Sequence, residues 1–368
     1  MSTLKVNSIT NKGNPVNIAN NITVGAGTAI REYYSQAGEP SGAGNGAVWW
    51  DTANDAYKML IEGEWHTIEP PAVPPTIWYG SRGVFGGGGT PVLSDVIDYI
   101  TIATTGNAVD FGNLSVARAY LGAACSDGSR GVFGGGTADG GSGSTTIDYV
   151  TIATPGNAID FGDLTVGRFF LSACSDGVKG VFGGGYTGSR VNTIDYITIA
   201  TPGNAIDFGD LTVSRSALAT CANGSRGVFG GGNDTTGAGV NVIDYITIAT
   251  PGNATDFGDL TEARSALAAC SDATRGVFGG GAIAAGRTDV IEYITIATPG
   301  NATTFGNLTV SRYNLAACSD GSRGVFGGGT TITETNTIDY ITIATTGSAI
   351  DFGDLTVART SVAACSGD

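Results

Sequence analysis

The stretch GVFGGG is the first feature of this 368-residue chain that could do chemistry, because a glycine-rich turn can bring backbone N–H groups close to a phosphate. A catalytic phosphate loop is needed once, yet this stretch occurs six times, at intervals of 47 to 49 residues. The triplet DFG also recurs, with no kinase-like lysine strand or catalytic loop around it. We therefore interpret both motifs as parts of a repeated scaffold. The GVFGGG copies begin at Gly83, Gly131, Gly180, Gly227, Gly276 and Gly324.

Nucleophiles and metal ligands are equally regular. The six cysteines could form three disulfides, but equivalent positions in successive repeats should be held apart, so we expect six free, buried thiols. The single histidine, His66, precedes the repeats, which excludes a His-based triad or multi-His metal site within them. No unrepeated pair of carboxylates stands out either, so the sequence predicts no enzyme, no metal and no cofactor. The cysteines are Cys125, Cys174, Cys221, Cys270, Cys318 and Cys365.

Twelve of the 18 Lys and Arg residues occupy two positions that recur in every repeat. We expect these side chains to pair with acids that recur in the same way. A second hypothesis is that a ring of six arginines binds an anion. The first position, in TVAR-like segments, holds Arg118, Arg168, Arg215, Arg264, Arg312 and Arg359. The second, before GVFGGG, holds Arg82, Arg130, Lys179, Arg226, Arg275 and Arg323. The acids are Asp98, Asp148, Asp195, Asp244, Glu292 and Asp339.

Each repeat predicts four short antiparallel strands, of which residues 242–250 (VIDYITIAT), 254–260 (ATDFGDL) and 265–272 (SALAACSD) are examples, the fourth being an RGVFGG segment. Six such units predict an all-β fold, a six-bladed β-propeller. The small residues of LAAC suit the crowded strand nearest the axis, and the triple glycine would let blades approach closely or turn the chain. We expect the final AACSGD to pair beside the first repeat's second strand and close the ring.

The segments FGGG, IDYI and FGDLTVAR resemble the kelch repeat. This resemblance extends from about Trp78 to the last residue. The resemblance implies a kelch-like propeller. Phenylalanine stands where that family usually has tryptophan. These residues are Phe111, Phe161, Phe208, Phe257, Phe305 and Phe352.

The first 75 residues differ from the repeats. AVWWDT and AYKMLIEGEWHTI predict a small hairpin module with TAND and EGE as turns, and PPAVPP predicts a stiff spacer. The start, STLKVNSITN, resembles structural proteins of tailed bacteriophages, especially those of marine and cyanobacterial hosts. GAVWWDT with YKMLIEGEW resembles a module of phage tail fibres. This organisation predicts a docking segment at 1–35, the hairpin module at 36–69, a linker at 70–76 and the propeller at 77–368.

The phage resemblance implies a virion protein assembled in the bacterial cytoplasm, docked to other virion proteins by its N-terminus and trimeric by analogy. We expect a tail fibre or related appendage that binds a host-surface glycan or protein. The alternatives are an architectural head-fibre, decoration or collar protein, and a polysaccharide-degrading enzyme. A net charge of −15 disfavours nucleic acid and anionic membranes, and no segment is long enough to span a bilayer.

The loops after the triple glycine differ between repeats, and antiparallel connectivity places them on one face of the propeller together with the TVAR links. Variation on one side of a constant scaffold is typical of a recognition surface, although neutral drift in exposed loops would give the same pattern. The binding residues predicted on this face are Tyr186, Arg190, Asn233, Asp234 and Arg287.

Overall fold

A computed structural model describes residues 80–90 and 92–367 and, before them, residues 9–10, 15–16, 33–36, 41, 47–51, 56–61 and 64–68. The chain divides into two compact units, Met1–Pro74 and Pro75–Asp368. The described residues form strands and no helix, so this part of the chain has no helical segment able to cross a bilayer.

The N-terminal unit contains a four-stranded sheet. Its last three strands are antiparallel, as AVWWDT and AYKMLIEGEWHTI predicted, whereas the first strand pairs parallel to the second, which the sequence did not predict. That first strand also runs across the suggested boundary between segments 1–35 and 36–69. The predicted spacer at 70–76 lies outside the described residues. The strands are Tyr33–Gln36, Val48–Asp51, Ala56–Ile61 and Glu64–Ile68, besides a short ladder of Ile9–Thr10 and Pro15–Val16.

The second unit is the predicted six-bladed β-propeller, built from six four-stranded antiparallel sheets. The inner strands contact one another in a closed ring around the axis. From blade 1 to blade 6, the inner strands are Ala363–Gly367, Ala124–Ser126, Ser172–Ser175, Ala219–Ala222, Ala268–Ser271 and Ala316–Ser319. The second strands are Arg82–Gly86, Arg130–Gly134, Lys179–Gly183, Arg226–Gly230, Arg275–Gly279 and Arg323–Gly327.

The third and outer strands complete each blade. The third strands are Val96–Thr101, Thr146–Thr151, Thr193–Thr198, Val242–Thr247, Val290–Thr295 and Thr337–Thr342. The outer strands are Val109–Asn113, Ile159–Asp163, Ile206–Asp210, Thr255–Asp259, Thr303–Asn307 and Ile350–Asp354. Two short ladders lie in loops, Gly89–Thr90 with Val92–Leu93, and Ala282–Ile283 with Gly286–Arg287.

Ring closure occurs as predicted. The strand Ala363–Gly367 pairs antiparallel with Arg82–Gly86, and Cys365 lies opposite Val84. Blade 1 is thus assembled from both ends of the propeller sequence. This pairing fills the edge of the second strand that would otherwise be left open.

The glycines of GVFGGG allow neighbouring blades to pack closely, and they allow the chain to turn at the end of the second strand. A Cβ on Gly180 would lie 2.5 Å from the Sγ of Cys125 in the preceding blade, and a Cβ on Gly183 would overlap a ring carbon of Phe229 in the next. Gly184 and Gly185 have φ values of +65° and +116°, which glycine adopts without strain. Both predicted roles of the triple glycine are confirmed.

The six cysteines are free and buried, as expected. Burial raises the pKa of every one of these thiols, and raises that of Cys174 to about 12. The phenylalanines in the kelch tryptophan position are buried too. Each packs edge to face against the tyrosine of its own blade, as Phe161 does against Tyr149 with ring centres 5.9 Å apart.

The TVAR arginines form the predicted ion pairs. The Arg168 Nη2 lies 2.7 Å from the Asp195 carboxylate on the third strand of the next blade, and both side chains are fully buried. Burial lowers the pKa of Arg168, and the charge of Asp195 opposes that effect. Because each guanidinium is buried and already paired, the hypothesis that this ring binds an anion is wrong. The pairs are Arg118–Asp148, Arg168–Asp195, Arg215–Asp244, Arg264–Glu292, Arg312–Asp339 and Arg359–Asp98.

The basic residues before GVFGGG do not pair with those acids, so this half of the charge prediction is wrong. Arg130 instead donates hydrogen bonds to the carbonyl oxygens of Ile199 (3.0 Å) and Ala200 (2.8 Å) in the next blade. Its guanidinium lies 5.0 Å from the centre of the Tyr149 ring. The acids are already bound by the TVAR arginines, whereas the carbonyl groups at the end of the neighbouring strand lie within reach.

Candidate binding site

One end of the propeller carries the segments that differ most between repeats, and we call it the variable face. It comprises the loops between second and third strands and the links between blades. The turns at the opposite end join inner to second strands and third to outer strands, and they are nearly constant. The predicted segregation of loops is therefore confirmed.

Each link approaches the axis in the same way. After the buried arginine, one residue bridges to the first residue beyond the triple glycine of the next blade, as Phe169 does to Tyr186. The following residue has a positive φ, which is 56° at Phe170. Non-glycine residues rarely adopt this conformation, so all six copies hold local strain. The residues with positive φ are Tyr120, Phe170, Ala217, Ala266, Asn314 and Ser361.

Backbone hydrogen bonds hold these strained residues around the mouth of the axial channel. The N–H of Phe170 donates to the carbonyl of Tyr120 at 2.9 Å, and the N–H of Ala217 donates to the carbonyl of Phe170 at 2.7 Å. Three further bonds continue the chain through Ala266 and Asn314 to Ser361. The scaffold thus presents one side chain per blade at a fixed place.

Sequence reasoning missed this ring, although the signal was present. The two residues after the TVAR arginine read AY, FF, SA, SA, YN and TS in successive repeats, within a sequence that otherwise hardly changes. Aligning the six repeats would have shown that these positions vary as the loops do. Their place at the channel mouth depends on the tertiary structure.

A cavity of about 440 Å³ opens on the variable face. It shares Phe170, Ala217, Ala266 and Asn314 with the narrower channel along the axis. The volume lies within the usual range of small-molecule sites. Its lining residues are Phe169, Phe170, Tyr186, Arg190, Ser216, Ala217, Asn233, Ser265, Ala266, Ala282, Tyr313 and Asn314.

Aromatic side chains cluster on one side of the axis, around the link from blade 2 to blade 3. The ring centres of Tyr120 and Phe170 lie 4.5 Å apart, and Phe169 lies 5.3 Å from both Phe170 and Tyr186. At the equivalent positions of blades 4 and 5 the residues are small, including Ala217 and Ala266. The mouth is therefore asymmetric although the scaffold is six-fold.

Of the residues that the structure describes, Arg190 is the only charged one that lines the cavity. Its guanidinium carbon lies 5.8 Å from the centre of the Tyr186 ring, a cation–π contact. Within the described part of the chain it forms no ion pair, and its Nε is shielded from solvent without a hydrogen-bond partner. Nε also lacks a partner in the six TVAR arginines, but their Nη atoms are held by carboxylates and carbonyl oxygens.

The structure brings three of the five predicted binding residues together, namely Tyr186, Arg190 and Asn233. Asp234 does not line the cavity. Its carboxylate accepts hydrogen bonds within its own loop, first from the Thr236 hydroxyl at 2.6 Å, and these bonds lower its pKa. Arg287 is exposed on the hairpin of blade 5, also outside the cavity.

Among the described residues, no three His, Cys, Asp or Glu side chains are grouped so that they could hold a metal ion. Comparison with protein-family models and with curated proteins found no match to this chain.

Proposed function

We propose that this protein is a bacteriophage virion appendage, such as a tail fibre, whose propeller binds a glycan on the host surface. The N-terminal resemblance to tailed-phage structural proteins supports the virion role. The variable-face cavity supports binding, because it is concave and combines aromatic rings with a few polar groups. The N-terminal unit would then dock to other virion proteins.

One observation carries the binding proposal, namely that the aromatic cluster interrupts the symmetry of the repeats. Six-fold packing requires the same glycines, cysteines and ion pairs in each blade, but it does not require Tyr120, Phe169, Phe170 and Tyr186 on one side. The partly exposed rings of Tyr120, Phe170 and Tyr186 offer flat apolar surfaces to the C–H faces of a sugar, and the buried Phe169 packs beside them. The amides of Asn233 and Asn314 can donate and accept hydrogen bonds with hydroxyl groups.

The test measures binding of the purified protein to host cells and its competition with phage adsorption. The double variant Tyr186→Ala, Asn233→Ala should lose cell binding while its unfolding midpoint stays close to that of the parent protein. Val178→Ser serves as the control, because Val178 is exposed in a turn on the opposite face. Equal binding by all three proteins would remove recognition from the variable face.

The position of the chain in an intact virion distinguishes the binding proposal from the architectural alternative. The binding proposal expects the N-terminal unit on the tail and the propeller directed outward. A variable face covered by other virion proteins would favour the architectural role. New reducing ends after incubation with host polysaccharide would instead favour an enzyme.

A further inference from the structure

We infer that the ligand of the variable-face cavity is an acidic saccharide, and that Arg190 selects it by binding its carboxylate or sulfate group. This inference rests on the proposed function and adds the charge of the ligand. It is carried by the charges, the geometry and the backbone bonding of the cavity.

The charge in the cavity is opposite in sign to the net charge of the chain. The chain has a net charge of −15, yet among the described residues no carboxylate lines this cavity and the one charged group there is a cation. The nearest acid in sequence to the lining residue Asn233 is Asp234, whose carboxylate is bound to Thr236 and Ala238 in its own loop. An anionic group entering the cavity would therefore meet a positive charge that forms no ion pair with any described carboxylate.

Arg190 lies between the Tyr186 ring and the loop of the next blade, where a Cβ on Gly237 would be 3.5 Å from one of its Nη atoms. The contact with the Tyr186 ring orients the guanidinium before the ligand arrives, and the neighbouring loop limits the space around it. Such a fork can bind both oxygens of a carboxylate or sulfate, which gives orientation as well as affinity.

The backbone hydrogen bonding at the cavity rim favours a saccharide over an acidic peptide. An extended peptide would need free backbone groups with which to pair. At the cavity rim these groups already bond to each other, since Phe169 exchanges two hydrogen bonds with Tyr186 and Ser216 exchanges two with Asn233. What remains accessible is side chains, namely rings, amides and one guanidinium, which suits a ring-shaped ligand with hydroxyl groups.

The experiment measures binding of the full-length protein to a panel of oligosaccharides in acidic and neutral pairs. Oligogalacturonate is compared with its methyl ester, glucuronic-acid oligomers with glucose oligomers, sialylated lactose with lactose, and sulfated galactan oligomers with unsulfated ones. At least one acidic member should bind on the order of 10- to 100-fold more tightly than its neutral partner. Comparing the carboxylated saccharides with the sulfated ones shows which of the two anionic groups Arg190 binds.

Two variants assign the effect to a residue. Arg190→Gln should reduce acidic binding to the neutral level, whereas Arg287→Gln removes an exposed arginine of the same face outside the cavity and should leave it unchanged. Tyr186→Phe keeps the ring beneath the guanidinium and should retain most of the preference. Arg190→Lys should bind more weakly than the parent, because lysine lacks the planar fork.

The outcomes separate this inference from the proposed function. Equal binding of acidic and neutral saccharides, or an acidic preference that survives in Arg190→Gln, would overturn the inference and leave glycan binding standing. If a polyglutamate peptide bound and no saccharide did, the ligand would be an acidic peptide, and the inference of a saccharide ligand would be overturned. Failure of all saccharides to bind, together with unimpaired cell binding by the Tyr186→Ala, Asn233→Ala variant, would overturn both.

Discussion

Arg359 and Asp98 form a fully buried ion pair although they lie 261 residues apart in the chain. An equivalent arginine–carboxylate pair recurs at every other blade junction, between residues 27 to 30 positions apart, such as Arg168 and Asp195. The link that leaves blade 6 is therefore held to blade 1 by the same contact that joins all other neighbours. Closure of the ring combines this ion pair with the pairing of Ala363–Gly367 on Arg82–Gly86.

Removing one partner of the closing pair should destabilise the propeller strongly. In Arg359→Leu the buried Asp98 keeps the hydrogen bond from the Thr356 hydroxyl but loses its positively charged partner, which should lower the free energy of unfolding by about 3–5 kcal/mol. Chemical denaturation measures this change, and limited proteolysis should release the last strand first. The double variant Arg359→Leu, Asp98→Leu removes both charges and should recover much of the loss. A single variant as stable as the parent protein would contradict this account of closure.

Contact between Cys125 and Gly180 should appear as an energetic coupling. Gly180→Ala places a methyl group against the Cys125 sulfur, and we expect a loss of about 1–3 kcal/mol in the free energy of unfolding. Cys125→Ala removes the sulfur, so the double variant should lose less than the sum of the single losses. A double-mutant cycle by urea denaturation measures the difference. Strict additivity would show that the two residues do not compete for this space.

The cysteines should be unreactive in the native protein. Burial keeps them as thiols, while the thiolate is the reactive form, so a thiol reagent at pH 8 should label none of them until the propeller is unfolded. Labelling in denaturant without reductant should then count all six. Fewer than six would indicate disulfides, and rapid labelling of the native state would contradict the burial.

The same thiols predict how stability depends on pH. Their pKa values are raised in the folded state, to about 12 at Cys174 and Cys365, above the unfolded value of about 8.5. The unfolded chain therefore loses these protons first as the pH rises, so stability should be unaffected by the thiols below pH 8 and fall between about pH 9 and pH 12. Urea midpoints across this range measure the fall. It should be smaller in Cys174→Ala than in the parent.

An exception among the repeats offers a stabilising substitution. In five blades an asparagine in the turn before the outer strand accepts a hydrogen bond from the outer strand of the preceding blade, as Asn301 does from the Asp259 N–H at 3.0 Å. Ser348 occupies the sixth position, and among the described residues its side chain has no such bond to the Asn307 N–H.

Ser348→Asn should therefore add one hydrogen bond and raise the free energy of unfolding by about 0.5–1.5 kcal/mol. Asn301→Ser is the matched control in the neighbouring blade and should lower stability by a similar amount. Thermal unfolding of both variants measures the two changes. A neutral result for both substitutions would show that the asparagine does not stabilise the blade junction.

The features that could be predicted from sequence alone are those that occur once in every repeat. GVFGGG, the paired Arg and Asp positions and the small residues before each cysteine all recur because each junction between blades presents the same packing problem. Repetition therefore indicated the propeller, its six blades and the segment that closes it. The same repetition indicated that the glycines are structural and that the thiols are buried.

Basic residues recur at two positions in every repeat, in the TVAR segments and before GVFGGG. Only the tertiary structure shows which of the two forms ion pairs with the repeated acids. Arg118 and Arg130 look alike in sequence, but one reaches a carboxylate and the other reaches backbone carbonyl oxygens of the next blade. The tertiary structure also decided which residues line the candidate binding site. Phe170, Arg190, Asn233 and Asn314 come from separate repeats and meet only because a closed ring directs every link toward one axis. Local sequence encodes each strand and turn, whereas the meeting of distant side chains depends on how the blades are arranged around that axis.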